Sequence, residues 1–190
     1  MLKPQKVLLT FLFVGIQLVA QNKESRWAVS ASFGVAKFSS EDAKFIGDQF
    51  NFQVPRLNVS RYFFNGLSLD AGISFTTINK IPGFYGNSVS YLSIDGATRY
   101  DFGTSNDNFV PYFLLGASLL KTTYKLTPTF NFGGGGTFWL NSRYGINVEL
   151  LYKSSSSGFE SMRSHTYFSV GAVYSLNLRN LAPRLWSRNK

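Results

Sequence analysis

The sequence predicts an all-β protein: a closed, eight-stranded, antiparallel up-and-down β-barrel that crosses a membrane with its strands. Three observations carry that prediction. Eight segments alternate apolar and polar residues with period two, as half-buried strands do. The connections between them run long, short, long, short, which is the habit of outer-membrane barrels. Aromatic residues make up 17% of the 190-residue chain and charged residues only 15%, against roughly 25% charged in an ordinary soluble domain. An exterior wetted partly by something other than water fits that balance.

Residues 1–20 read as a signal peptide. "MLKPQKVLLTFLFVGIQLVA" places Lys3 and Lys6 ahead of an apolar run from Val7 to Ala20, the order of a secretory leader. Those 14 residues would make a helix of about 21 Å, against a hydrocarbon core of about 30 Å. Cleavage after Ala20 is expected, although Leu18 is large for its place in the site. The barrel is assigned to residues 27–178.

The first strand, "WAVSASFGVAKF", puts Trp27, Val29, Ala31, Phe33 and Val35 on one face and Ser30, Ser32 and Gly34 on the other. In the second, "PRLNVSRYF", Leu57, Val59 and Phe63 oppose Arg56, Asn58, Ser60 and Tyr62. The third is the cleanest: Leu67, Leu69, Ala71, Ile73 and Phe75 against Ser68, Asp70, Gly72 and Ser74. The fourth sets Leu92, Ile94, Tyr100 and Phe102 against Ser93, Asp95, Arg99 and Asp101.

In the fifth, "VPYFLLGASLL", Phe113, Leu115, Ala117 and Leu119 oppose Tyr112, Leu114, Gly116 and Ser118. The sixth, "FNFGGGGTFWL", has Phe130, Phe132 and Phe138 against Asn131, Gly133, Gly135 and Thr137. The seventh sets Ile146, Val148, Leu150 and Tyr152 against Asn147, Glu149 and Lys153. The eighth sets Phe168, Val170, Ala172 and Tyr174 against Tyr167, Ser169 and Gly171. Ten residues at about 3.3 Å rise, tilted by about 40°, cover about 25 Å, the height of a membrane barrel's apolar band. The apolar faces are therefore assigned to lipid, where unpaired backbone groups are intolerable and the sheet must close.

Long loops are expected at 39–54, 77–88, 121–129 and 154–164, and tight turns at 64–66, 103–108 and 141–145. Phe64-Asn65-Gly66 suits a three-residue hairpin with Gly66 in the left-handed region. A soluble ligand-binding barrel is the competing architecture, and it would turn the apolar faces inward. The non-apolar faces carry Ser, Gly, Asn and Thr rather than Lys and Glu, which suits a lumen better than a water-facing surface.

Three segments, spanning the last four strands, carry a family resemblance. "VPYFLLGASLL", "NFGGGGTFWLNSRYGINVELLYK" and "HTYFSVGAVYSLN" resemble the small outer-membrane β-barrel domain family, the porin-like group with OmpA- and OmpX-like folds common in Bacteroidetes. The resemblance covers about residues 27–178 and implies architecture and an outer-membrane location. It implies no molecular activity. Unlike many such barrels, the chain runs about a dozen residues beyond its last strand.

The lumen of eight strands is just wide enough for side chains to fill. Arg56, Asp70, Asp95, Arg99, Asp101, Glu149 and Lys153 should point into it as a polar network, since charges removed from water need partners. Such a filling leaves no open pore. Aromatic residues near strand ends suit interfacial girdles: Trp27, Tyr62, Phe63, Tyr100, Phe102, Tyr144 and Tyr174 towards the tight turns, and Phe38, Tyr152 and Phe168 towards the loops. Trp139 belongs to the turn-side set as well, while its lumen-facing parity also allows packing inside.

A lipid-modifying enzyme is the sharper alternative. His165 would serve as general base for a serine among 154–157 or Ser164, oriented by Glu149 or Glu160. One histidine and no cysteine offer no metal set. "GGGG" at 133–136 lacks the Gly-Lys-Ser/Thr of a phosphate loop; it is read instead as room for large neighbours such as Glu149 and Tyr167. No cofactor is expected.

The net charge of +9 falls to +7 without Lys3 and Lys6. Residues 179–190 read as a basic periplasmic tail, with Arg179, Arg184, Arg188, Lys190 and Trp186 suited to anionic headgroups. Most other charges are scattered singly, so the footprint of nucleic-acid binding is missing. The chain is read as a monomer whose partners are outer-membrane lipid and an extracellular contact through the long loops. Phe84 and Tyr85 in "KIPGFYGNS" are the leading contact residues.

Overall fold

The computed structural model describes residues 27–41, 49–64, 66–75, 90–103, 107–121, 126–155 and 164–179, with no side chain described at position 54. The 1–20 leader, Phe84, Tyr85, Glu160 and residues 180–190 lie outside that set. Eight strands account for most of it: β1 (Trp27–Lys37), β2 (Phe50–Phe64), β3 (Leu67–Phe75), β4 (Leu92–Asp101), β5 (Phe109–Lys121), β6 (Leu126–Trp139), β7 (Tyr144–Ser155) and β8 (His165–Ser175). Each pairs antiparallel with its neighbour in sequence. β1 also pairs with β8, from Ala28 opposite Ser175 to Lys37 opposite Thr166, and this closes the sheet. Closure leaves no open sheet edge, which is what a chain surrounded by hydrocarbon requires.

The period-two pattern becomes two surfaces. Leu69, Ile73, Phe113 and Val148 are between 38% and 49% exposed, while Asp70 and Glu149 beside them are 7% and 6% exposed. Oil is outside and charge is inside. A soluble ligand-binding barrel demands the reverse, so that architecture does not describe this chain.

Strand lengths depart from the sequence reading in instructive places. β2 begins at Phe50 rather than near Pro55, and the first connection shrinks to 38–49. Ser32 faces Arg56 but Gly34 faces Gln53, so β2 carries one extra residue beside Pro55. A bulge is where a strand tolerates proline, because the ladder is already interrupted there. β6 begins at Leu126, so only residues 122–125 separate it from β5; the long loop expected there is as short as the turn at 140–143. The connection after β3 is correspondingly longer, 76–91.

Gly66 has φ of +83°, the left-handed conformation expected of it. The hairpin is nonetheless tighter than predicted: Phe64 pairs with Leu67, and the ladder shifts between Tyr62 and Phe64. Phe63 is the extra residue at that shift.

Candidate functional site

The chemistry-bearing side chains meet inside the barrel, because one parity of every strand delivers them there. Asp95 of β4 is the hub. Its Oδ2 lies 2.6 Å from Arg56 Nη1, and its Oδ1 lies 2.7 Å from Lys153 Nζ. Oδ1 also accepts from Ser93 Oγ at 2.6 Å and from Ser118 Oγ, which in turn accepts from Asn131 Nδ2. Arg56 Nη2 reaches Glu149 Oε1 at 3.3 Å. The Tyr112 hydroxyl is 2.9 Å from Glu149 Oε2 and 3.0 Å from Asn147 Oδ1.

Two cations and two carboxylates thus neutralise one another among hydroxyls, as charges out of water must. The Arg56 guanidinium and the Lys153 ammonium lie 5.0 Å and 5.2 Å from the Tyr167 ring centre, adding cation–π attraction.

A second pair lies towards the tight turns. Arg99 Nε donates to Asp101 Oδ1 at 2.6 Å, and the guanidinium lies 3.9 Å from the Tyr112 ring centre. Ser68 Oγ is 3.3 Å from Asp101 Oδ2. Asp70 is buried but joins neither set, and its Oδ1 has no hydrogen-bond partner among the described residues. Of the seven ionisable residues assigned to the lumen, the structure brings four into one network and two into another. Tyr112 touches both.

The two ends differ. At the tight-turn end a cavity of about 540 Å³ is lined by Trp27, Tyr62, Arg99, Asp101, Trp139 and Arg179 among others. The Arg179 guanidinium lies 4.3 Å from the Trp139 ring centre. Trp139 is buried, taking the inward packing that its parity allowed rather than a girdle position, and Tyr62 also turns towards this mouth, where its hydroxyl accepts from the Gly66 amide at 3.2 Å. At the loop end Phe38, Tyr91 and His165 are buried together. The Phe38 and His165 rings lie 4.8 Å apart, and Tyr91 Oη is 3.1 Å from His165 Nε2. Phe38 and Tyr62 therefore leave the girdle to which the sequence assigned them: each side chain follows the inward parity of its strand.

His165 is 2% exposed and points into the barrel, away from the apolar outer face. Glu149 is engaged by Arg56 and Tyr112 rather than by the histidine, and Ser164 Oγ accepts from the Ser155 amide at 3.0 Å. The described residues thus assemble no Ser/His/acid set. Nor do they include any group of three or more His, Cys, Asp or Glu able to hold a metal.

The glycines of β6 make room, although for different neighbours than expected. A Cβ at Gly135 would meet the Tyr112 hydroxyl at 2.7 Å, and Tyr167 is accommodated by Gly34 of β1 instead.

Outside, Trp27, Tyr100, Phe102 and Tyr152 are exposed, with Phe63 and Tyr174 half-buried. Their rings pair up: Tyr100 with Phe102 at 5.2 Å, Tyr144 with Tyr174 at 5.2 Å and Phe132 with Tyr152 at 5.4 Å. Ser93, Ser118, Asn131 and Tyr112 are network members the sequence did not single out. Their parity placed them inside, but only the register shows that they converge on Asp95 and Glu149.

No protein-family model and no curated protein matches the sequence. Solved structures do. The outer membrane protein OprG from Pseudomonas aeruginosa superposes with a TM-score of 0.59 at 11% identity, over 80% of this chain and 96% of that one. The N-terminal β-barrel domain of Pseudomonas aeruginosa OprF gives 0.58 at 11% identity, over 80% and 97%. Neisserial surface protein A gives 0.53 at 13% identity, over 79% and 95%. At these identities the likeness is one of fold: the chain is a closed eight-stranded antiparallel barrel similar to these proteins.

Proposed function

We propose that the protein is an integral outer-membrane β-barrel with a structural or surface-interaction role, exported by its 1–20 leader and closed to ions along its axis. The observation that carries this reading is the inversion of oil and charge across a closed sheet. The outward residues suit hydrocarbon, and the inward ones neutralise one another. The likeness to the outer membrane protein OprG supports the location. The interior network around Asp95 and the aromatic cluster at Phe38, Tyr91 and His165 support the absence of a pore.

The tight turns face the periplasm and the long connections face outward. Connection 76–91, which holds Phe84 and Tyr85, is the surface offered to a partner.

Three measurements test the reading. Unboiled protein should migrate differently from boiled protein in SDS, as folded barrels resist the detergent. Protein inserted in a planar bilayer should pass no stepwise current; discrete conductance steps would refute the closed lumen while leaving the barrel intact. Deleting 80–86 should spare the migration shift and weaken capture of a surface partner, and undiminished capture would clear that segment.

A further inference from the structure

The outward parity of the eight strands carries no acid among the described residues. Its charges are Lys37 and Lys121 at the loop end and Arg61 alone towards the tight turns. Arg61 shares the face of Leu57 and Val59, three residues before β2 ends, about 10 Å along the strand. Its guanidinium lies 5.1 Å from the Trp27 ring centre and 5.3 Å from that of Phe63. Its Nε is buried and has no hydrogen-bond partner among the described residues. A cation in that position needs a counter-charge, since an arginine facing hydrocarbon is costly and reaches for the interface.

A second arginine stands on the same side of the barrel. Arg143, in the turn before β7, donates from Nη1 to the Tyr174 hydroxyl at 2.8 Å, and Tyr174 pairs its ring with Tyr144. Tyr144 is opposite Tyr174, Tyr174 is opposite Val29, and Trp27 is opposite Arg61. The two arginines therefore bracket an arc of three strand spacings, about 14 Å. Tyr144, Tyr174, Trp27 and Phe63 supply its aromatic floor.

We infer that this arc binds the headgroup phosphate of an anionic phospholipid in the leaflet at the tight-turn end. A guanidinium matches phosphate with paired N–H donors. Its aromatic partners fix it at interfacial depth, and the lack of any acid on the face selects a headgroup with net negative charge. The inference rests on the membrane-barrel reading above and adds a ligand class to its surface.

The test uses the full chain in nanodiscs of phosphatidylcholine with about one third phosphatidylglycerol, where each basic residue near the surface is worth about fivefold in binding. Native mass spectrometry then counts the lipids retained. Wild type should retain phosphatidylglycerol in preference to phosphatidylcholine. Arg61→Gln and Arg143→Gln should each cut that preference about fivefold, and Lys37→Gln should leave it unchanged.

Equal retention of both lipids by wild type, or a preference that survives in the doubly substituted protein, would overturn the site. So would lipopolysaccharide displacing the phosphatidylglycerol through the same arginines, since that assigns the arc to another lipid. The SDS migration shift is read on every sample. A chain that never folds into lipid removes the membrane reading and this inference together, whereas a folded chain without lipid preference removes this inference alone.

Discussion

Lys153 Nζ lies 2.7 Å from Asp95 Oδ1, joining β7 to β4, two strands that are not neighbours in the sheet. Arg56 of β2 grips the other oxygen of the same carboxylate. Three strands are thus tied through the barrel's interior by one acid, in addition to the ladder around its wall.

Breaking that tie should be expensive. Lys153→Met leaves Asp95 with Arg56 as its remaining cation, and Asp95→Asn strips both cations of a carboxylate. Each should cost about 3–5 kcal/mol, the usual penalty for orphaning a buried charge. Combining them should cost less than the sum, because the second change removes a partner already lost. Urea unfolding in lipid vesicles, read by the SDS migration shift, measures all three. Strict additivity would mean that the contact at 2.7 Å contributes nothing.

Glycine at position 34 is required by a neighbour rather than by its own backbone. A Cβ there would run into the hydroxyl end of Tyr167, and overpacking of that kind costs about 1–3 kcal/mol. Gly34→Ala should destabilise the barrel by that amount in the wild-type background. In a Tyr167→Leu background the penalty should shrink towards zero. The two unfolding midpoints decide, and an equal loss in both backgrounds would point to another cause.

How much of this was readable beforehand follows from what alternation can encode. Parity alone assigns Leu69 to lipid and Asp70 to the lumen, because one residue of shift inverts the face. Parity cannot say which inward residues touch. Asp95 meets Lys153 across strands 58 positions apart in sequence, a consequence of register and strand tilt. The alternation places the start of the second strand at Pro55 and of the sixth at Phe130, yet β2 absorbs Pro55 at a bulge and β6 runs through Pro128. Phe38 was assigned to a girdle by its place near a strand end. Its burial against His165 came from continuing the inward parity of β1 one residue past the last paired position.

The outward face should reject charge where it is deepest in lipid. Val148 pairs with Gly136 and Val170 near the middle of its strand. Val148→Lys should cost about 2–4 kcal/mol in a bilayer, as a lysine at the midplane does. Ser142→Lys, in the turn between β6 and β7, should stay within about 0.5 kcal/mol, as surface changes do. Refolding yields into vesicles across a urea series compare them. Equal tolerance at both positions would contradict the assignment of that face to hydrocarbon.

The loop-end cluster gives the last prediction, because it separates a packing histidine from a catalytic one. His165 is held by the Phe38 ring at 4.8 Å and by the Tyr91 hydroxyl at 3.1 Å from Nε2. His165→Phe preserves a ring against Phe38 but leaves the buried Tyr91 hydroxyl without that partner, a loss of about 1–3 kcal/mol. Adding Tyr91→Phe removes the stranded hydroxyl and should restore part of the stability. A histidine acting as a general base would behave otherwise: stability would move little, and any effect of the expressed protein on membrane lipid composition would vanish with His165→Phe. Vesicle unfolding and lipid analysis of the same variants therefore discriminate. Lost stability with partial recovery in the double variant, and lipids unchanged throughout, is the outcome that the inward-facing, 2% exposed ring requires.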